Sequence, residues 1–291
     1  MKSPELPDYV IADIPGQVRA ALTEDIGSGD LTAQLIDADA QASATIITRE
    51  DAVFCGQAWV NEVFGQLGGG VSIVWHAVDG ERVAANRVLC TLRGNTRQIL
   101  TGERTALNFL QTLSATATAA RQYNDAVAGH PVTILDTRKT LPGLRTAQKY
   151  AVLCGGCHNH RIGLYDAFLI KENHIAACGS ITAAIERARA LAPDKKIIVE
   201  VETLVELEEA IAARPDQIML DEFDINDRHK ALAAYEAGIT VEISGSVTPS
   251  TLKHMPSLEF PISVSSGSIT KHVRAVDLSL RLCSNETKKR T

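Results

Sequence analysis

The chain has 291 residues, of which 45% are apolar and 22% charged, and its net charge is −6. This composition suits a soluble globular protein with a large buried core, and the length suits two domains or one barrel with an extra domain. The acidic balance argues against nucleic acid as the main partner, and no apolar run approaches the roughly 18 residues of a membrane span.

The N-terminus, from Met1 to Glu5, lacks the apolar core of a signal peptide, so the expected location is cytoplasmic. Cysteines at 55, 90, 154, 157, 178 and 283 are scattered, as expected for free thiols in a reducing compartment. The first hundred residues mix strand and helix. Ala42 to Thr48 and Ala52 to Cys55 read as strands, and Trp59 to Leu67 as a helix stopped by Gly68-Gly69-Gly70. Val71 to Val78 and Val88 to Leu92 read as strands joined through Asp79-Gly80. From Glu103 to Val127 the apolar residues recur near a helical period, which predicts one long helix.

After Pro131 short apolar runs alternate with helical stretches. The runs are Val132 to Leu135, Ala167 to Ile170, Ile197 to Val201, Gln217 to Leu220, Thr240 to Ile243 and Ile262 to Val264. Helices are predicted over Ile181 to Ala192 and Leu204 to Ala213. Alternation at this spacing implies parallel strands, and the number of runs suggests a barrel.

The strand ends carry the chemistry. Asp136-Thr137-Arg138-Lys139, Lys171, Glu200, Asp221, Ser244-Gly245-Ser246 and Ser265-Ser266-Gly267 follow successive runs. In a barrel those ends converge on one face, where active sites sit. Arg138, Lys139, Arg145, Lys149, Arg161 and Lys171 make a local basic cluster in an acidic protein, which suggests a polyanionic small substrate. Arginine holds carboxylate or phosphate with paired hydrogen bonds, and lysine supplies a point charge. Glu200 and Asp221 suit Mg²⁺ or sugar hydroxyls, and the Ser/Gly turns suit a phosphate.

Two other readings stay open. Lys171 at a strand end suits a Schiff-base barrel lyase. Cys154, Cys157, His158 and His160 look like part of a zinc site, which suits a metal-binding protein that is not an enzyme.

Asp136 to Arg145 (DTRKTLPGLR), Gly155 to Gly163 (GGCHNHRIG), Ala167 to His174 (AFLIKENH), Glu200-Val201-Glu202 and Met219-Leu220-Asp221 occur in that order. Together they resemble the quinolinate phosphoribosyltransferase family, also called nicotinate-nucleotide pyrophosphorylase (carboxylating). Glu24 to Thr32 and Glu103 to Leu113 resemble its N-terminal half, so the likeness runs from about Leu22 to Val276.

The resemblance implies an N-terminal α/β sandwich over residues 1–112, with 271–291 packing back on it, and an open seven-strand α/β barrel over 113–270. It implies a homodimer with sites at the subunit interface, Mg²⁺, and the substrates quinolinate and phosphoribosyl pyrophosphate. By this likeness Arg138, His160, Arg161 and Lys171 would line the quinolinate pocket, with Arg104 reaching in from the partner subunit, and Thr137 would be among the substrate-binding residues. Lys139 would stand between the substrates. Glu200 and Asp221 would serve ribose and metal. Ser244, Gly245, Ser246, Gly267, Ser268 and Ile269 would hold the 5′-phosphate. Ser246 and Cys157 stand where the family commonly has glycine.

Overall fold

The computed structural model describes residues 3–221, 229–254 and 260–283. In chain order its elements are α1 (Asp8–Ile26), β1 (Gln41–Thr48), β2 (Ala52–Val53), α2 (Gln57–Gln66), β3 (Val71–Trp75), β4 (Arg82–Val83), β5 (Val88–Asn95), α3 (Thr96–Ala126), β6 (Val132–Leu135), α4 (Arg145–Cys154), β7 (Phe168–Ile170), α5 (Glu172–Cys178), α6 (Ile181–Leu191), β8 (Ile197–Val201), α7 (Leu204–Ala213), β9 (Gln217–Asp221), α8 (His229–Glu236), β10 (Thr240–Ser244), α9 (Pro249–Lys253), β11 (Ile262–Ser265), α10 (Ser268–Lys271) and β12 (Leu278–Leu282). They form two compact units. The first comprises Met1–Arg121, Leu141–Gly156 and His272–Thr291, and the second Gln122–Thr140 and Cys157–Lys271. No helix among the described residues is long and apolar enough to cross a membrane.

The first unit is built on an antiparallel sheet of order β12-β1-β5-β3. Strand β1 alternates, burying Ala44, Ile46 and Thr48 on one face. Helix α1 was not among the expected elements, and it contains Pro15, a residue type that disfavours a helix interior. It nevertheless runs through Pro15, since Val10, Ile14, Val18 and Leu22 form one stripe of period four that is buried in the core. Trp59 of α2 lies in the same core and donates its indole N–H to Gln17 of α1 at 2.8 Å.

Helix α4 also belongs here, whereas the expected division placed its residues with the second domain. Its Ala147, Tyr150, Ala151 and Cys154 enter this core, and the Tyr150 ring lies 5.8 Å from that of Trp59. Gly155, just after α4, lets the chain touch α3. A Cβ there would stand 2.3 Å from Ala120 Cβ and 2.6 Å from Ala117 O. Backbone cannot yield as a flexible side chain can, so Gly155→Ala is expected to destabilise the protein by about 1–3 kcal/mol, read as a lower urea midpoint at unchanged m.

Asp79 is a buried carboxyl in this unit. It accepts from Gly56 N at 2.9 Å and Gln57 N at 3.3 Å, at the start of α2, and from Tyr150 Oη at 3.0 Å. Burial pushes its pKa up to about 6, against the pull of those hydrogen bonds. Between about pH 4 and 6 the folded protein keeps this proton while the unfolded chain loses it, so this group's contribution to stability falls as pH rises. The fall amounts to roughly 3 kcal/mol. Asp79→Asn keeps the acceptor and removes the charge. Its urea midpoint is expected to gain on wild type between pH 4.5 and pH 7, and a constant difference would show that Asp79 does not titrate in that window.

The second unit is a parallel sheet of order β6-β11-β10-β9-β8-β7. Its strands are short apolar runs, and β8 is buried at every position. Helices α6 and α7 start at Ser180 and Thr203, whose hydroxyls accept from Ala183 N at 3.1 Å and Glu206 N at 3.2 Å. Six strands are paired among the described residues, not the expected seven. The place beside β6 is taken by a single parallel bridge from Leu135 to His158. The segment cannot extend that pairing, because the Asp136 carboxylate draws in His160 N and Asn159 Nδ2, each at 2.8 Å, and bends the chain away.

Candidate active site

A cavity of about 220 Å³ opens at the C-terminal ends of the parallel strands. Thr137, Arg138 and Lys139 reach it from the loop after β6, and His160 and Arg161 from the segment before β7. Lys171 follows β7, Glu200 lies in β8, and Ser244 ends β10. These eight expected site residues thus share one pocket. Leu169 and Met219 also line it and were not named as site residues, and Ser265, one of the strand-end residues noted in the sequence, lines it too. The first two sit inside apolar strand runs, where nothing in the sequence separates a pocket wall from core.

The loop after β6 is held from behind. Asp136 is fully buried, and its carboxylate fixes the segment bearing His160 through the two bonds described above. Thr270 Oγ1 donates to Lys139 O at 2.8 Å. Gly267 completes the support by lacking a side chain, since a Cβ there would stand 2.7 Å from Lys139 Cδ and 3.2 Å from Thr137 Oγ1.

Electrostatics set the character of the pocket. Among the described residues, four cations, Arg138, Lys139, Arg161 and Lys171, share it with one carboxylate, Glu200. Burial, and then the charge of Arg138, lower the Arg161 pKa, so the empty pocket disfavours its own charge. An anionic ligand relieves that cost. Arg161 also donates to Ala167 O at 3.0 Å, which aims the guanidinium from the start of β7. Lys171 Nζ lies 2.5 Å from Glu200 Oε2. Burial raises the Glu200 carboxyl above its ordinary range; Lys171 pulls it back, and Asp221 and Glu172 push it further up.

The other expected residues lie outside the cavity wall. Asp221 ends β9 and acts on Glu200 through its charge. Gly245 and Ser246 follow β10, and Gly267, Ser268 and the buried Ile269 follow β11. Tyr123 joins these two turns, donating to Val247 O at 3.0 Å and accepting from Ser266 Oγ at 3.2 Å. Gly245 holds the positive φ of its turn, 133°, while Ser246 is exposed and has none. Serine at 246 therefore strains no backbone. Arg104 is exposed on α3, in the first unit.

The two rival readings lose ground on geometry. Lys171 is engaged as a cation by Glu200, a poor arrangement for a nucleophilic amine. Among the described residues the close groups of possible metal ligands are Cys55, Asp79 and Cys154, and Glu172, Glu200 and Glu202. Cys154, Cys157, His158 and His160 do not form such a group. The second group offers only carboxylate oxygens, the donor type that suits Mg²⁺.

Comparison with known proteins agrees with this picture. Residues 30–114 match the N-terminal domain of quinolinate phosphoribosyl transferase, and residues 116–281 its C-terminal domain. A probable nicotinate-nucleotide pyrophosphorylase (carboxylating) of Bacillus subtilis is 40% identical over 268 residues, spanning 91% of this chain and 92% of the relative. One from Synechocystis is 38% identical over 285 residues, spanning 96% and 95%. The solved nicotinate-nucleotide pyrophosphorylase from Francisella tularensis is 43% identical, covering 97% of this chain and 99% of its own, with a TM-score of 0.88. With both domain models matched along most of its length, the chain belongs to the quinolinate phosphoribosyl transferase family.

Proposed function

We propose that the protein transfers the phosphoribosyl group of phosphoribosyl pyrophosphate to quinolinate, giving nicotinate mononucleotide, pyrophosphate and CO₂. The observation that carries this reading is the pocket itself, where the described residues set four cations and one carboxylate around one cavity. Two adjacent carboxylates on a pyridine need several cations at once. Arg138 and Arg161 would hold them in forked hydrogen bonds, Lys171 would add a point charge, and Lys139 would stand where acid and sugar meet.

The ring nitrogen of quinolinate bonds to the anomeric carbon as the bond to pyrophosphate breaks, and the ribose becomes oxocarbenium-like. Glu200 and Asp221 would stabilise that positive charge, and Lys139 the departing anion. The carboxylate at ring carbon two then leaves as CO₂, its electron pair passing to a carbon beside the cationic nitrogen. A proton from solvent replaces it. Arg138 and Arg161 must not grip that carboxylate more tightly before it leaves than during its loss. Ser244, Gly245 and Ser246, with Gly267, Ser268 and Ile269, would receive the 5′-phosphate. Mg²⁺, with Glu200 and Asp221 as its protein carboxylates and Glu172 and Glu202 close by, would neutralise pyrophosphate charge.

The assembly is read as a homodimer in which Arg104 completes the partner's pocket. The absence of disulfides among the described cysteines fits a reducing, cytoplasmic setting. The test is incubation with quinolinate, phosphoribosyl pyrophosphate and Mg²⁺, following CO₂ and mononucleotide. A folded sample that releases neither refutes the activity. Arg104→Ala mixed with Lys139→Ala is expected to recover activity in hybrid dimers; no recovery after demonstrated subunit exchange refutes the shared site.

A further inference from the structure

A chain of polar contacts runs through the second unit, from the exposed Lys196 to the buried Gln217 and Glu242. Lys196 Nζ donates to Gln217 Oε1 at 2.5 Å, and Gln217 Nε2 donates to Glu242 Oε2. The same Glu242 oxygen lies 3.2 Å from His160 Nε2. Glu242 sits in the middle of β10 with no exposed surface, and the His160 side chain is only 7% exposed. On its other side, His160 Nδ1 accepts from Arg161 N at 2.8 Å.

These contacts assign the ring. A nitrogen that accepts a hydrogen bond carries no proton, so Nδ1 is bare and the proton of the neutral ring lies on Nε2, which is 3.2 Å from the Glu242 carboxylate but out of line for a hydrogen bond. Both nitrogens thus face protein groups, and His160 meets the cavity with its ring rather than with a donor. Its part is to hold the backbone of Arg161, the cation that Ala167 O steers from the far side. We propose that Glu242 is a positioning residue for the acid substrate, fixing the His160 tautomer and, through that ring, Arg161. The proposal rests on the reading of quinolinate as substrate.

Leucine in place of Glu242 would remove the acceptor and free the ring to turn, whereas glutamine would keep an acceptor oxygen of similar shape. Binding of quinolinate alone, and of phosphoribosyl pyrophosphate with Mg²⁺, is measured by calorimetry on the full-length protein. Glu242→Leu is expected to weaken quinolinate about tenfold, as the loss of one buried polar contact would, and to leave phosphoribosyl pyrophosphate within about twofold. Glu242→Gln should recover most of the loss. His160→Phe should match the effect of Glu242→Leu, and the double substitution should be no worse than either alone, because both break one chain of contacts. Equal weakening of both ligands, additive losses, or undiminished quinolinate binding by His160→Phe would overturn the proposal; the last holds even if Glu242→Leu fails to fold. Wild-type protein that binds no quinolinate would overturn the substrate reading instead. The tautomer remains testable in that case by ¹⁵N-histidine NMR, with His160 identified by its absence from His160→Phe. A ring protonated on Nδ1 rather than Nε2 would refute the role of Glu242.

Discussion

Arg161→Ala is expected to weaken quinolinate binding about a thousandfold while leaving phosphoribosyl pyrophosphate within a few-fold. Truncating one partner of a buried, hydrogen-bonded charge pair costs about 2–5 kcal/mol, and a thousandfold is about 4 kcal/mol. Arg161 stands toward the upper part of that range for two reasons. Its guanidinium is partly desolvated beside Arg138, so a bound carboxylate gains more from it than from a solvated cation. It is also held in place by Ala167 O, so little freedom is lost on binding. Arg161→Lys should recover only a small part, because an ammonium cannot make the forked contact. Calorimetry on the free protein reads both ligands separately. Similar losses for the two would move Arg161 from the acid to the general field of the site.

Much of this site was legible before any coordinates. Lys171, Glu200 and Ser244 are polar residues that end or interrupt apolar runs, and parallel strands bring such ends to one face whatever the details of closure. Thr137, Arg138 and Lys139 follow directly on β6 by the same logic. What escaped depends on contacts distant in sequence. Glu242 is a single acid in a short strand, which reads as an outward-facing residue until Gln217 and His160 are seen beside it. Leu169 and Met219 are pocket wall only because a cavity lies there. Helix α1 was not among the expected elements; the shared burial of Val10, Ile14, Val18 and Leu22 that holds it, despite Pro15, is tertiary. Helix α4 falls in the range that the resemblance gives to the barrel, and its Tyr150 and apolar neighbours pack in the core around Trp59, a contact distant in sequence. The seventh strand failed for a similar reason. His158 begins the pairing, and the demand of the Asp136 carboxylate for two donors ends it.

The largest effect on turnover is expected at Glu200. Glu200→Gln should lower kcat by about 10²–10³-fold, the usual loss when a group aimed at developing charge is neutralised. It should also change the pH profile. The active form is the carboxylate, and burial holds its pKa above the ordinary glutamate range, so kcat/KM should fall as pH drops through that raised value. The glutamine variant lacks a titrating group there and should lose this acidic limb. Two neighbours then offer a sign test. Lys171 lowers the Glu200 pKa, so Lys171→Met should move the limb to higher pH in whatever activity remains. Asp221 raises it, so Asp221→Asn should move the limb to lower pH. Removing a cation and removing an anion must therefore shift one profile in opposite directions. A limb that stays fixed in both variants, or survives in Glu200→Gln, belongs to another group, and Glu200 would then act on the ribose without titrating in the working range.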